Sequence, residues 1–194
     1  MTLRTTLLAT STLTLCLVAA PALAGEYAID PARSQLNFLI DHAGFSTIYG
    51  RFEEESGTIS FDVADPASAS ISLVVPADSV STNHAARDEH LRSPDFFNTA
   101  EFPEITFDST HVELAGDNTA AVTSDLSMMG VTKSVTLDVT FNKVGTFPWD
   151  ESTEVVGFSA SGTVDRTDFG MMFGVGSLGT DVQINLEVEA AEVK

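Results

Sequence analysis

Cysteine is almost absent from this sequence: Cys16 is the only one in 194 residues. No disulfide can form within the chain, so burial of apolar surface must hold the fold together. Positive charge is scarce as well. Nine Lys and Arg face 28 Asp and Glu, for a formal net charge of −19. Such a chain is repelled by nucleic acid and by anionic membrane surfaces, which excludes both as generic partners. Its acidic residues are scattered along the chain, as on a solubilising surface. Catalytic signatures are missing too. There is no Gly-x-Ser-x-Gly elbow, no His-Glu-x-x-His and no phosphate loop. The glycines of "GMMFGVGSLG" follow no dinucleotide fingerprint and read as a flexible hairpin loop. Four histidines occur, His42, His84, His90 and His111, without the three or four converging ligands that a metal needs. No metal and no cofactor is expected.

A long apolar run occurs once, from Leu7 to Ala20, after the lone cation Arg4. It is short for a membrane span of about 20 residues. "APALA" then presents small residues at Ala22 and Ala24. Residues 1–24 therefore read as a secretory signal cut after Ala24, leaving residues 25–194 as one exported domain. The cut removes Cys16 and, with Arg4, brings the charge to −20.

What the rest of the sequence has in quantity is alternation. "QLNFLID", "GTISFDV", "SISLVV", "EITFDST", "SVTLDVTF" and "DVQINLEVE" place apolar residues at every second position, the period of a strand with one buried face. "FSTIYGRF", "AAVTSDLSM" and "VVGFSASGTV" are weaker strands. "DHAGF", "ADPAS", "AGDN" and "MMGV" supply turn residues between them. Short links favour antiparallel neighbours. Eight or more such strands hide their apolar faces by closing into a barrel or stacking as a sandwich. Thirteen phenylalanines dominate the apolar inventory. They either fill the interior or line a cavity.

One stretch breaks the pattern, "RDEHLRSPDFFNTAEFP" at 87–103. Asn83 is placed to cap a helix over "HAARDEHLR", and Ser93-Pro94 marks a second helix start at "SPDFF". Phe96, Phe97 and Phe102 would form the inward underside. Elsewhere, "EEES" at 53–56 reads as a solvated strand end. Within "VDRTDFG", Arg166 lies between Asp165 and Asp168, and reads as an ion pair pinning a strand end, with ligand contact as the alternative.

Five blocks in order, "YAIDPARSQLNFLIDHAGFSTIYGRF", "RDEHLRSPDFFNTAEFPEITFDST", "MGVTKSVTLDVTF" and "VDRTDFGM" among them, resemble the YceI-like family of exported bacterial proteins. The resemblance runs from about Tyr27 to Glu189. It implies an all-β fold, an antiparallel eight-stranded lipocalin-like barrel with a helical insertion between strands, and it assigns the 87–103 stretch to that insertion. It also implies a periplasmic, non-enzymatic protein that holds a polyisoprenoid, an isoprenoid quinone or a fatty-acyl amphiphile inside the barrel, as a monomer or homodimer. Physically this is reasonable. Each buried CH₂ contributes about 0.8 kcal/mol, so a tail of about ten to fifteen gains roughly 8–12 kcal/mol before the costs of association.

The expected tail contacts are Phe38, Ile40, Phe61, Leu73, Phe107, Leu137 and Phe158 on strands, facing one cavity. Phe96, Phe97, Leu126, Phe169 and Met171 complete the set. His42, Arg87, His90, Arg92 and Arg166 are the candidates for the mouth and for a head group. The competing reading is a scaffold or stress-protection module with a filled barrel, acting through its surface. A carboxylate-pair hydrolase is the third, and nothing in the spacing supports it.

Overall fold

The structure, a computed structural model, describes residues 24–194. The signal-segment reading therefore falls on residues outside those described. Eleven strands follow in chain order: β1 (Gly25–Ile29), β2 (Gln35–His42), β3 (Ser46–Phe52), β4 (Ser56–Phe61), β5 (Ser70–Pro76), β6 (Val80–Ser81), β7 (Glu104–Leu114), β8 (Thr119–Met128), β9 (Val131–Phe147), β10 (Asp150–Asp165) and β11 (Leu178–Glu192). One helix, α1 (Ala85–Arg92), lies between β6 and β7.

Eight strands close on themselves in the order β1-β4-β5-β7-β8-β9-β10-β11, and β11 returns to β1. All of these pairings are antiparallel. The closure depends on how β11 divides its second edge. Ala190–Glu192 pairs with β1, whereas residues 178–187 pair with β2. The β2–β3 hairpin and the two-residue β6 thus extend the sheet at one end of the barrel. Between this extension and the rest of the wall sits α1.

Each strand buries the face that its alternation marks. Ile59 and Phe61 of β4, and Leu73 and Val75 of β5, are buried, with Thr58 and Ser72 exposed on the opposite face. Val156 and Ala190 pair across β10 and β11, and both are fully buried. The β8–β9 hairpin turns on Met129 and Gly130, with φ of 53° and 73°. Two consecutive positive φ values are the two-residue turn that matches strand twist, and glycine takes the second at no steric cost.

The insertion departs from expectation in two details. His84, not Asn83, caps the helix, its Nδ1 accepting from the Arg87 N–H at 3.2 Å. Asn83 instead adopts a left-handed φ of 60°, which Asn tolerates better than most residues. "SPDFF" forms no second helix. It winds as successive turns, with the Phe97 N–H donating to Leu91 O and the Asn98 N–H to Ser93 O. Its charges hold the insertion in place. The Asp88 carboxylate accepts from the Thr82 N–H at 2.8 Å. Arg92 donates to Asp78 O at 2.7 Å and to Val80 O at 2.9 Å. Phe96 is buried, and Phe97 sets its ring edge-on to Phe52 at 5.5 Å.

Candidate functional site

The barrel is hollow. A wide chamber of about 340 Å³ lies under the extension, walled by β2, β3, α1 and the facing barrel strands. A narrow chamber of about 190 Å³ fills the other half, toward the β7–β8 turn. Leu73, Phe107, Leu137 and Leu186 line both, so these four side chains stand between the chambers and form a waist. The single cavity expected from the sequence is therefore two chambers with this waist between them. A cavity of about 300–1,000 Å³ is the ordinary size of a small-molecule pocket.

Most of the expected tail contacts line these spaces. Phe38, Ile40, Phe96, Phe97, Leu126 and Met171 line the wide chamber. Phe61 and Phe158 line the narrow one, and Leu73, Phe107 and Leu137 form part of the waist. Phe169 lines neither: it is buried in the core within the short 3₁₀ turn Arg166–Phe169, where facing does not alternate. Of the mouth candidates, His42, Arg87, His90 and Arg166 line the wide chamber. Arg92 lines neither, because its guanidinium is spent on the Asp78 and Val80 carbonyls.

Several lining residues escaped the sequence reading. Phe52, Phe173 and Leu178 join the wide chamber, and Phe141 joins the narrow one. Phe141 had a signal, since it ends the alternating run that begins at Val135. Phe173 had none, because it sits in a loop. It lies at the mouth, 45% exposed, with its ring 4.9 Å from His90 and 5.3 Å from Phe96. The neighbouring β2–β3 turn is brought to the same rim by the pairing of His42 with Leu178.

The two chambers differ in chemistry. Phe61, Phe141 and Phe158 form an aromatic trio in the narrow chamber, with centroids 5.0–5.6 Å apart. Among the described residues the one ionisable side chain that lines it is Asp117. The wide chamber carries Asp41, His42, Arg87, His90 and Arg166. Arg87 donates from Nε to Thr82 Oγ1 at 2.7 Å and from Nη2 to Thr82 O at 2.9 Å. Arg166 is 2% exposed and makes no ion pair with Asp165 or Asp168, contrary to the expected pin. It donates instead to Gly179 O and Met171 O. Burial draws its guanidinium below the ordinary value, with Asp165 opposing. Asp165 itself caps the following turn by accepting from the Thr167 N–H at 2.8 Å.

Gly50 shapes the wide chamber by having no side chain. A Cβ there would stand 2.1 Å from Phe38 Cζ, so the Phe38 ring lies flat across the glycine of the next strand. Outside the chambers, Glu55 corrects the reading of "EEES". Glu53 and Glu54 are exposed, but Glu55 is buried, its Oε1 has no partner, and burial pushes its carboxyl up.

Comparison with known proteins places this architecture. The model of the YceI-like domain matches residues 27–190. Protein YceI of Escherichia coli O157:H7 is 39% identical over 178 residues, 91% of this chain and 92% of that one. The crystal structure of the Campylobacter jejuni YCEI protein superposes with a TM-score of 0.71 at 30% identity, covering 79% of this chain and 90% of that one. A structure described as a polyisoprenoid binding domain from Saccharophagus degradans superposes with a TM-score of 0.66 at 19% identity, covering 89% of this chain and all (100%) of that one. On the family match and the E. coli relative, the chain belongs to the YceI-like family.

Proposed function

We propose that this protein binds one long apolar lipid, a polyisoprenoid or isoprenoid quinone, along the axis of its barrel and carries it in the periplasm. The observation that carries the reading is the pair of chambers with a waist of three leucines and a phenylalanine between them. A linear, flexible, apolar molecule fits that shape, and a compact one does not. Length supports the same reading. Strands β9, β10 and β11 have 17, 16 and 15 residues. At about 3.3 Å per residue and a tilt of about 40°, they run roughly 40 Å along the barrel axis. That exceeds the span expected of ordinary eight-residue strands, so a long tail can lie extended. The Saccharophagus description as a polyisoprenoid binding domain points to the same ligand class. Among the described residues no helix is long and apolar enough to cross a membrane.

The decisive measurement is mass spectrometry of organic extracts from protein purified without detergent, alongside titration with a fluorescent isoprenoid probe. Recovery of a stoichiometric isoprenoid and saturable probe binding are expected. A charge at the waist, Leu137→Glu, should abolish probe binding, since an unpaired carboxylate in an apolar channel is strongly disfavoured. Its folding is checked by circular dichroism. Lipid-free extracts together with no binding of any apolar probe would reject the carrier reading.

A further inference from the structure

We propose that Arg166 anchors an acidic head group, a single carboxylate, on the bound lipid, with the tail running from the wide chamber through the waist into the narrow one. This rests on the lipid reading and adds to it a head-group chemistry and a direction.

Arg166 is 2% exposed and lines the wide chamber. A guanidinium offers five N–H donors in a fixed fork. Nε is used by Gly179 O at 2.8 Å and Nη1 by Met171 O at 2.5 Å. Nη2 is buried and has no hydrogen-bond partner. Both acceptors are neutral carbonyls, and among the described residues no carboxylate lies within ion-pair distance of the guanidinium. Asp165 attracts the guanidinium only from beyond that distance, and a buried cation with a free donor and no paired carboxylate is strongly disfavoured unless something supplies the pair. The two carbonyls occupy Nε and Nη1 but leave the charge and Nη2 without a partner.

Three further observations fix the ligand. Arg87, the other arginine of this chamber, is only part-buried and donates twice to Thr82, and none of its nitrogens is buried without a partner. Among the described residues the narrow chamber is lined by no cation, only by Asp117 of the β7–β8 turn, so an acidic group has no favourable place there. Asp41 shares the wide chamber, and the chain carries a net charge of −19. Both disfavour a multiply charged diphosphate and leave a singly charged, planar carboxylate, which a guanidinium edge fits well.

The test compares geranylgeranoic acid with its methyl ester by calorimetric titration near neutral pH. The wild type is expected to bind the acid about tenfold or more tightly, the effect of one charge-assisted hydrogen bond. In Arg166→Gln the gap should close, whereas Arg33→Gln, at a half-exposed arginine that lines neither chamber, should keep it. Equal binding of acid and ester by the wild type, or a gap that survives in Arg166→Gln, overturns the proposal while leaving the lipid reading intact. Failure of both ligands to bind overturns both. Should Arg166→Gln not fold, carbon-13 spectroscopy of carboxyl-labelled acid on the wild type decides. A carboxyl titration displaced below that of the free acid supports the anchor, and an undisplaced one rejects it.

Discussion

The two chambers are lined by similar apolar side chains but are built in different ways. The narrow chamber is enclosed by barrel strands and the short connections β4–β5 and β7–β8, and the trio Phe61, Phe141 and Phe158 is part of its lining. The wide chamber is enclosed partly by added pieces, the β2–β3–β6 extension and α1, held to the barrel by polar contacts such as Asp88 to Thr82 and Arg92 to Asp78. A closed ladder leaves no edge and opens only as a unit. A helix packed into a gap can open locally. On the proposed function, the barrel half is the receptacle for the tail, and the extended half is the side of entry and head-group recognition.

The largest effect that would break this comparison comes from the insertion. Phe96→Ala with Phe97→Ala should cost about 3–5 kcal/mol for the buried Phe96 and less for the half-buried Phe97. Limited proteolysis should then cut within 83–103 well before the strands. Protease resistance equal to the parent's would show that the insertion is as firmly held as the barrel. On the barrel side, Phe158→Ala opens the aromatic trio, at about 3 kcal/mol. Chain-length preference should shift toward longer tails, with the cleavage pattern of the insertion unchanged. A probe series differing by single isoprene units measures this.

Gly50→Ala sharpens the contrast at smaller scale. The new Cβ must push the Phe38 ring into the wide chamber, at about 1–3 kcal/mol of stability. Affinity for bulky head groups should fall, and chain-length preference should hold.

The smallest effect concerns pH. Glu55 joins the extension (β3) to the barrel (β4), and its carboxyl is raised from the usual 4.5. The fold thus favours its protonated form. Stability from this group is greatest below the ordinary carboxylate range, declines as pH rises through the raised value, and is flat above it. Glu55→Gln should therefore remove that decline and raise the melting temperature slightly at neutral pH. Asp88 has the opposite sign. Burial works to raise it, but the hydrogen bonds from Thr82 and the His84 N–H outweigh burial and hold it below 3.8. Its contribution is present above the ordinary value and lost as pH falls through the lowered one. Asp88→Asn should weaken the protein at neutral pH and leave it little changed in acid, read from melting curves across pH.

Much of the architecture was legible because alternation is a property of each strand by itself. Phe38 and Ile40, Phe61, Leu73, Phe107 and Leu137 face the interior because every second residue of a strand must, and their apolar side chains show which face that is. The insertion was legible as a break in that period. Residues outside strands were not. Phe169 and Met171 are two apart in "DFGM", yet Met171 lines the wide chamber and Phe169 lies in the core, because a 3₁₀ turn followed by Gly170 at φ of 87° does not alternate. The three glutamates of "EEES" are chemically alike, and only the bend between β3 and β4 buries the third.

The sequence by itself determined which face of each strand is apolar, where turns interrupt the strands, and that one charged segment lies outside the barrel pattern. Those follow from side-chain chemistry and short-range backbone preference. Only the tertiary structure decided that β11 splits its free edge between β1 and β2, and so divides the interior into two chambers with a waist between them. A strand edge carries the same N–H and C=O groups whatever its side chains, so local sequence does not name its partner. That choice is made by the packing of all the strands at once. The same closure buries Arg166 away from Asp165 and Asp168, its neighbours in the chain, and turns it into the wall of a chamber.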